Sequence, residues 1–115
     1  KSVGKDIEDS KELISLAKKL EIAGSKFIVL ECVSSSTSKK ITKELSIPTI
    51  GIGASRHCDG QVLVIDDILN LDSDKKKPKF VKNFVNVEKY IIEGVEKYIR
   101  EVKKRKFPSN KNSYK

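Results

Sequence analysis

Residues 26–53 read KFIVLECVSSSTSKKITKELSIPTIGIG. The run 27–33 is apolar without polar alternation and is too short for a stable helix, which predicts a strand covered on both faces. The hydroxyl cluster after it offers several N-caps for a short helix over about 38–45, with Ile41 and Leu45 on its inner face. A second apolar strand follows at 49–52, with Pro48 at its entrance, where a missing amide is tolerated. Strand, helix and strand with short connections specify a parallel α/β unit. From Phe27 to Gly53 is 27 residues, near the roughly 30 of a strand-helix-strand crossover, which is right-handed.

Working outward, Ile7, Leu13, Ile14, Leu16, Ala17 and Leu20 recur at helical spacing before the first strand. Asp6 and Asp9 form a capping pair, and Gly24 is the expected stop. After Gly53, the loop ASRHCDG leads to QVLVIDDILNL, which fits strand or helix equally. A polar connection, LDSDKKKPKF, precedes a long helix over 86–104, where Val87, Ile91, Val95, Tyr98, Ile99 and Val102 form one stripe. Residues 105–115 have the composition of a tail. Two strands cannot bury themselves and two long helices, because parallel strands need helices on both faces and further strands at their edges. Residues 1–115 therefore read as one partial domain, the C-terminal part of a larger α/β domain. A first residue that is Lys and the lack of any Met agree with a processed product or a fragment.

Composition narrows the function classes. With 37% apolar and 35% charged residues, no window approaches the roughly 20 apolar residues of a membrane span, and no signal-peptide pattern opens the sequence. The net charge of +8 is unevenly placed. Residues 1–66 hold nine Lys and one Arg against nine acids, whereas 67–115 hold twelve Lys and two Arg against seven acids. No aromatic residues are interleaved with the basic runs for base stacking, so a solvated lysine-rich surface is favoured over a nucleic-acid-binding module. Cys32 and Cys58 are too few for a zinc site; they read as reduced thiols of a cytoplasmic protein, a bridge between neighbouring strand ends being the alternative.

The chemistry-bearing candidates gather where parallel α/β folds place their sites, at the carboxyl ends of the strands. Glu31 ends the first strand, and burying an isolated carboxylate costs several kcal/mol unless it is paired or protonated. Beside Val29, Leu30 and Val33 it is placed to act as a general base, the alternative being a salt bridge to a loop lysine. Gly51 and Gly53 end the second strand, where they serve either close approach to a ligand such as phosphate or packing. His57 lies alone in a polar loop. Asp59, Asp66 and Asp67 are a weak cation signal.

Four blocks in order, IVLECVSSS, SIPTIGIGAS, CDGQVLVIDDILNL and KPKFVKNF with the ending FPSNKNSY, resemble the C-terminal part of the ketopantoate hydroxymethyltransferase family. The resemblance runs from about residue 3 to 114. It implies the C-terminal part of a (β/α)8 TIM-type barrel with a long C-terminal helix, and a homo-oligomeric cytoplasmic enzyme of pantothenate synthesis. It also implies Mg²⁺ as cofactor, 5,10-methylenetetrahydrofolate as co-substrate and 3-methyl-2-oxobutanoate as acceptor, without nucleic acid or membrane. Glu31 matches the family's base in its LEC motif, Gly51 and Gly53 fall in a substrate-adjacent loop, and the metal ligands belong to earlier strands with no counterpart here. These 115 residues are thus expected to be inactive alone. Ser34 stands where the family has proline, expected to loosen a turn, and Ser55 where it has a glycine, unfavourable if φ there is positive. A phosphate-binding barrel resting on Gly51 and Gly53 is the alternative enzyme class.

Overall fold

The computed structural model describes residues 2–74 and 76–114. Contacts divide the chain into two compact units, Lys1–Val64 with Lys77–Val81, and Ile65–Lys76 with Lys82–Lys115.

The first unit begins with α1 (Ile7–Ile22). Asp6 caps it, its Oδ1 accepting from the Asp9 amide at 2.8 Å. At the other end Gly24 N–H donates to the Glu21 carbonyl and Ser25 N–H to that of Leu20. Those two bonds make a Schellman cap, and Gly24 supplies the left-handed conformation it needs, with φ +101°. Next come β1 (Ile28–Glu31), α2 (Ser35–Glu44), β2 (Thr49–Ile52) and the two-residue β3 (Gly60–Gln61). They form a parallel sheet in the order β1-β2-β3, so the expected parallel strand-helix-strand unit is present. α2 starts three residues before the expected 38, because the Ser34 side chain caps it through the Thr37 amide.

The expected burial of the strand on both faces does not hold. Along β1, Ile28 and Leu30 are buried while Val29 and Glu31 are exposed. Register pairs Ile28 with Thr49 and Leu30 with Gly51, and Val29 with Ile50 and Glu31 with Ile52. One face therefore packs with Ala17 of α1 and Ile41 of α2 in the core. The other, carrying Val29, Glu31, Ile50 and Ile52, leaves Val29 at 50% exposure. The free edge of β1 borders a groove of about 320 Å³ that Leu16 and Leu20 of α1 help to line. Consequently the apolar stripe expected on α1 is only partly covered: Ala17 is buried, but Leu16 and Leu20 are exposed.

A buried hydroxyl network stitches the first residues to the sheet. Val3 forms a parallel bridge with Val33, its N–H donating to the Cys32 carbonyl while Ser34 N–H donates to the Val3 carbonyl. Thr37, 1% exposed, donates its hydroxyl to the Gly4 carbonyl and lies 2.8 Å from Ser10 Oγ. Ser34 Oγ donates to the same carbonyl. The serine in place of the family's proline thus tightens this turn instead of loosening it, because its N–H and its hydroxyl both bond, and proline has neither.

In the second unit the ambiguous stretch resolves into α3 (Ile65–Leu69), preceded by the short β3 of the first unit. α4 (Val87–Lys103) is the expected long helix, capped by Asn86. Its stripe, including Ile91, Val95 and Tyr98, stays exposed. The tail is not featureless: Phe107 sets its ring edge against Tyr98 at 5.6 Å, and a 3₁₀ turn forms over Asn110–Asn112. No helix among the described residues is long and apolar enough to cross a membrane.

Thr37→Val keeps the volume but removes the hydroxyl from a buried site. It is expected to lower stability by about 1–3 kcal/mol, read by urea unfolding. An unchanged midpoint would show that the network does not hold the first residues.

Candidate functional site at the carboxyl ends of the strands

Parallel register brings the carboxyl ends of β1 and β2 together, because Glu31 pairs with Ile52. The carboxylate of Glu31 stands on the face that neither helix covers. Among the described residues it has no hydrogen-bond or ion-pair partner, so the loop-lysine salt bridge is not formed. The residue that follows, Cys32, takes φ +54°, a left-handed conformation costly for a residue with a Cβ. This bend releases the chain from β1 and lets Val33 and Ser34 meet Val3. No sequence signal announces it, since the residue is neither Gly nor Asn.

Gly51 and Gly53 are both confined. A Cβ on Gly51 would lie 2.9 Å from Gln61 Oε1 and 3.0 Å from Cys58 Sγ, and one on Gly53 would lie 2.6 Å from the Phe80 ring. Gly53 also has φ +61°, so there only glycine combines the backbone conformation with the space. Packing thus demands glycine at Gly53 and leaves little room at Gly51, whatever the two do toward a ligand.

Beyond the strand ends a pocket of about 570 Å³ opens, lined by Cys32 and Gly53 together with Ser2, Ala54, Pro78, Lys79 and Phe80. The Pro78–Phe80 segment reads in the sequence as part of a polar connection, and no spacing rule folds it back over Gly53.

Ser55 has no positive φ; among the described residues other than glycine, only Cys32, Asn70 and Arg105 do. Buried at 4% exposure, it joins the loop to α2 instead. Its hydroxyl accepts from Ser35 Oγ at 3.1 Å and from the His57 amide at 3.2 Å, and its carbonyl accepts from Gln61 Nε2 at 2.8 Å. The departure from glycine is thus accommodated. Asp59 serves the scaffold, its Oδ2 accepting from the Thr49 amide at 2.9 Å and the Thr49 hydroxyl at 3.2 Å. Asp66 and Asp67 occupy the first turn of α3, and His57 is exposed. Cys32 and Cys58 are free thiols. Among the described residues, no three His, Cys, Asp or Glu side chains gather to hold a metal ion.

The pattern of the ketopantoate hydroxymethyltransferase family matches residues 1–110. The chain belongs to that family. Relatives named 3-methyl-2-oxobutanoate hydroxymethyltransferase agree with it along almost its whole length. The protein of Clostridium botulinum is 53% identical over 112 residues, covering 97% of this chain and 40% of the relative. That of Pelagibacter ubique is 51% identical over 111 residues, 96% of this chain and 42% of the relative. That of Bacillus cereus is 47% identical over 111 residues, 96% of this chain and 40% of the relative. This ketopantoate hydroxymethyltransferase family chain thus spans about two fifths of the length of the curated relatives it matches.

Gly53→Ala is expected to destabilise the longer protein by about 2 kcal/mol or more, from left-handed strain and the clash with Phe80 together. Adding Phe80→Ala should relieve the clash and leave the strain. Thermal unfolding of the single and double variants separates the two, and a neutral Gly53→Ala would contradict the close contact.

Proposed function

We propose that the longer protein to which this chain belongs moves a hydroxymethyl group from 5,10-methylenetetrahydrofolate to C3 of 3-methyl-2-oxobutanoate, giving 2-dehydropantoate for pantothenate synthesis. Glu31 is the base. The observation that carries this reading is the position of its carboxylate: at the carboxyl end of a parallel strand, on the uncovered sheet face, with no partner among the described residues to neutralise it. A structural carboxylate has a partner; a base has to be free to meet substrate.

The chemistry asked of Glu31 is limited. The C3–H bond breaks, its proton passes to the Glu31 carboxylate, and the electron pair is held as the enolate of the oxo acid. C3 then bonds to the one-carbon unit, water supplies the hydroxyl oxygen, and tetrahydrofolate leaves. Mg²⁺ belongs to this reading through the family resemblance, with ligands outside these 115 residues.

Family membership and the uncovered surfaces support a (β/α)8 barrel for the whole. Val29, Glu31, Ile50 and Ile52 would face the barrel interior, and the groove beside Leu16 and Leu20 would lie where a neighbouring strand-helix unit packs. A barrel of this kind takes about 250 residues, which fits the greater length of the relatives. The reading includes a cytoplasmic homo-oligomer, in keeping with free thiols.

Glu31→Gln in the longer protein should lower kcat by about 10² or more, the scale of general-base loss, with little change in unfolding midpoint, since the side chain bonds to none of the described residues. Retained turnover would remove Glu31 from the mechanism. The 115 residues alone should show no turnover and no cooperative unfolding; a cooperative transition with activity would refute the dependence on the rest of the barrel.

A further inference from the structure

The pocket beyond the strand ends combines unlike walls. Ala54, Pro78 and Phe80 give it an apolar side, while Lys79 is the one charged side chain among the described residues that line it. Among the described residues Lys79 makes no ion pair. An unpaired cation beside an apolar wall favours an anion that also carries a flat apolar body, because the anion gains a charge-assisted bond while the body leaves water. The wall adjoins the strand end, since Phe80 packs directly on Gly53. At about 570 Å³ the volume suits a drug-sized molecule and far exceeds what a five-carbon oxo acid fills.

Building on the hydroxymethyl-transfer reading, we infer that this pocket takes the aryl-glutamate end of the folate donor, with a glutamyl carboxylate on Lys79 Nζ and the aryl ring against Pro78 and Phe80. The folate tail is the one part of either substrate that joins a flat aromatic ring to carboxylates. The pocket starts at Cys32, one residue beyond Glu31, so a donor held by its tail here reaches the strand ends with its one-carbon end. Lys79 then determines donor affinity without taking part in proton transfer.

Calorimetric titration of the longer protein reads this directly, without requiring turnover. The probes are tetrahydrofolate monoglutamate, its triglutamate, and separately 3-methyl-2-oxobutanoate. Lys79→Gln should bind both folates about tenfold more weakly, the scale of one lost charge-assisted bond, and should flatten the salt dependence seen with the wild type. Lys79→Arg should stay within about twofold, and oxo-acid affinity should not move. Lys79 is exposed, so neither change threatens folding. Wild-type folate binding that does not respond to Lys79→Gln overturns this inference alone, as does a loss confined to the oxo acid. Absence of folate binding by the wild type overturns it together with the transferase reading.

Discussion

Parallel pairing of β1 with β2 is the constraint on which the rest depends. Four residue pairs, from Ile28 with Thr49 to Glu31 with Ile52, decide two things at once. They divide the side chains between a helix-covered face and an open one, and they align the strand ends so that Glu31, Cys32 and Gly53 come together. A shift of one residue would exchange the faces, sending Leu30 into solvent and Glu31 against Ala17 and Ile41. Burial of Leu30 and exposure of Glu31 are thus the same fact about register, and the hydrophobic core enforces the position of the carboxylate.

Hydroxyls hold that register where the apolar core is thin. Thr37, Ser38 and Thr49 are among the most buried side chains in the chain. Thr42 Oγ1 accepts or donates across 2.7 Å to Thr49 Oγ1, and Thr49 in turn meets Asp59. The polar links run from α2 through the start of β2 to the loop before β3, and a second set runs from α2 to Gly4. Each buried hydroxyl in them is bonded, and no buried side-chain polar atom among the described residues lacks a partner. Such networks are favourable when complete and costly when broken. Ser34 and Ser55 fit this pattern: the two departures from the family's residues both add bonds to it.

Apolar surface left open tells the complementary story. Val29 on the sheet, Leu16 and Leu20 on α1, and Ile91, Val95 and Tyr98 on α4 are exposed, although each lies in a pattern that the sequence writes as a buried face. Patterning records the burial a residue has in the whole polypeptide, while the fold of 115 residues records only what they can cover themselves. The mismatch points the same way as the relatives, of whose length this chain spans about two fifths.

The sequence by itself determined the order of elements, the parallel strand-helix-strand unit, both long helices and the arrival of Glu31 at a strand end. These follow from local spacing: apolar runs of strand length, stripes of helical period, and the caps at Asp6 and Gly24. Family membership was legible too, because its motifs are contiguous. Tertiary structure alone decided which face of β1 is open, that Ser55 avoids positive φ, that Asp59 clasps Thr49 instead of standing free, and that Phe80 packs on Gly53 with Lys79 beside the pocket. Apart from the Ser55 backbone, those facts join residues ten or more positions apart through space. Local periodicity carries no information about such contacts, which exist only once the register of β1 and β2 has brought the loops to one end.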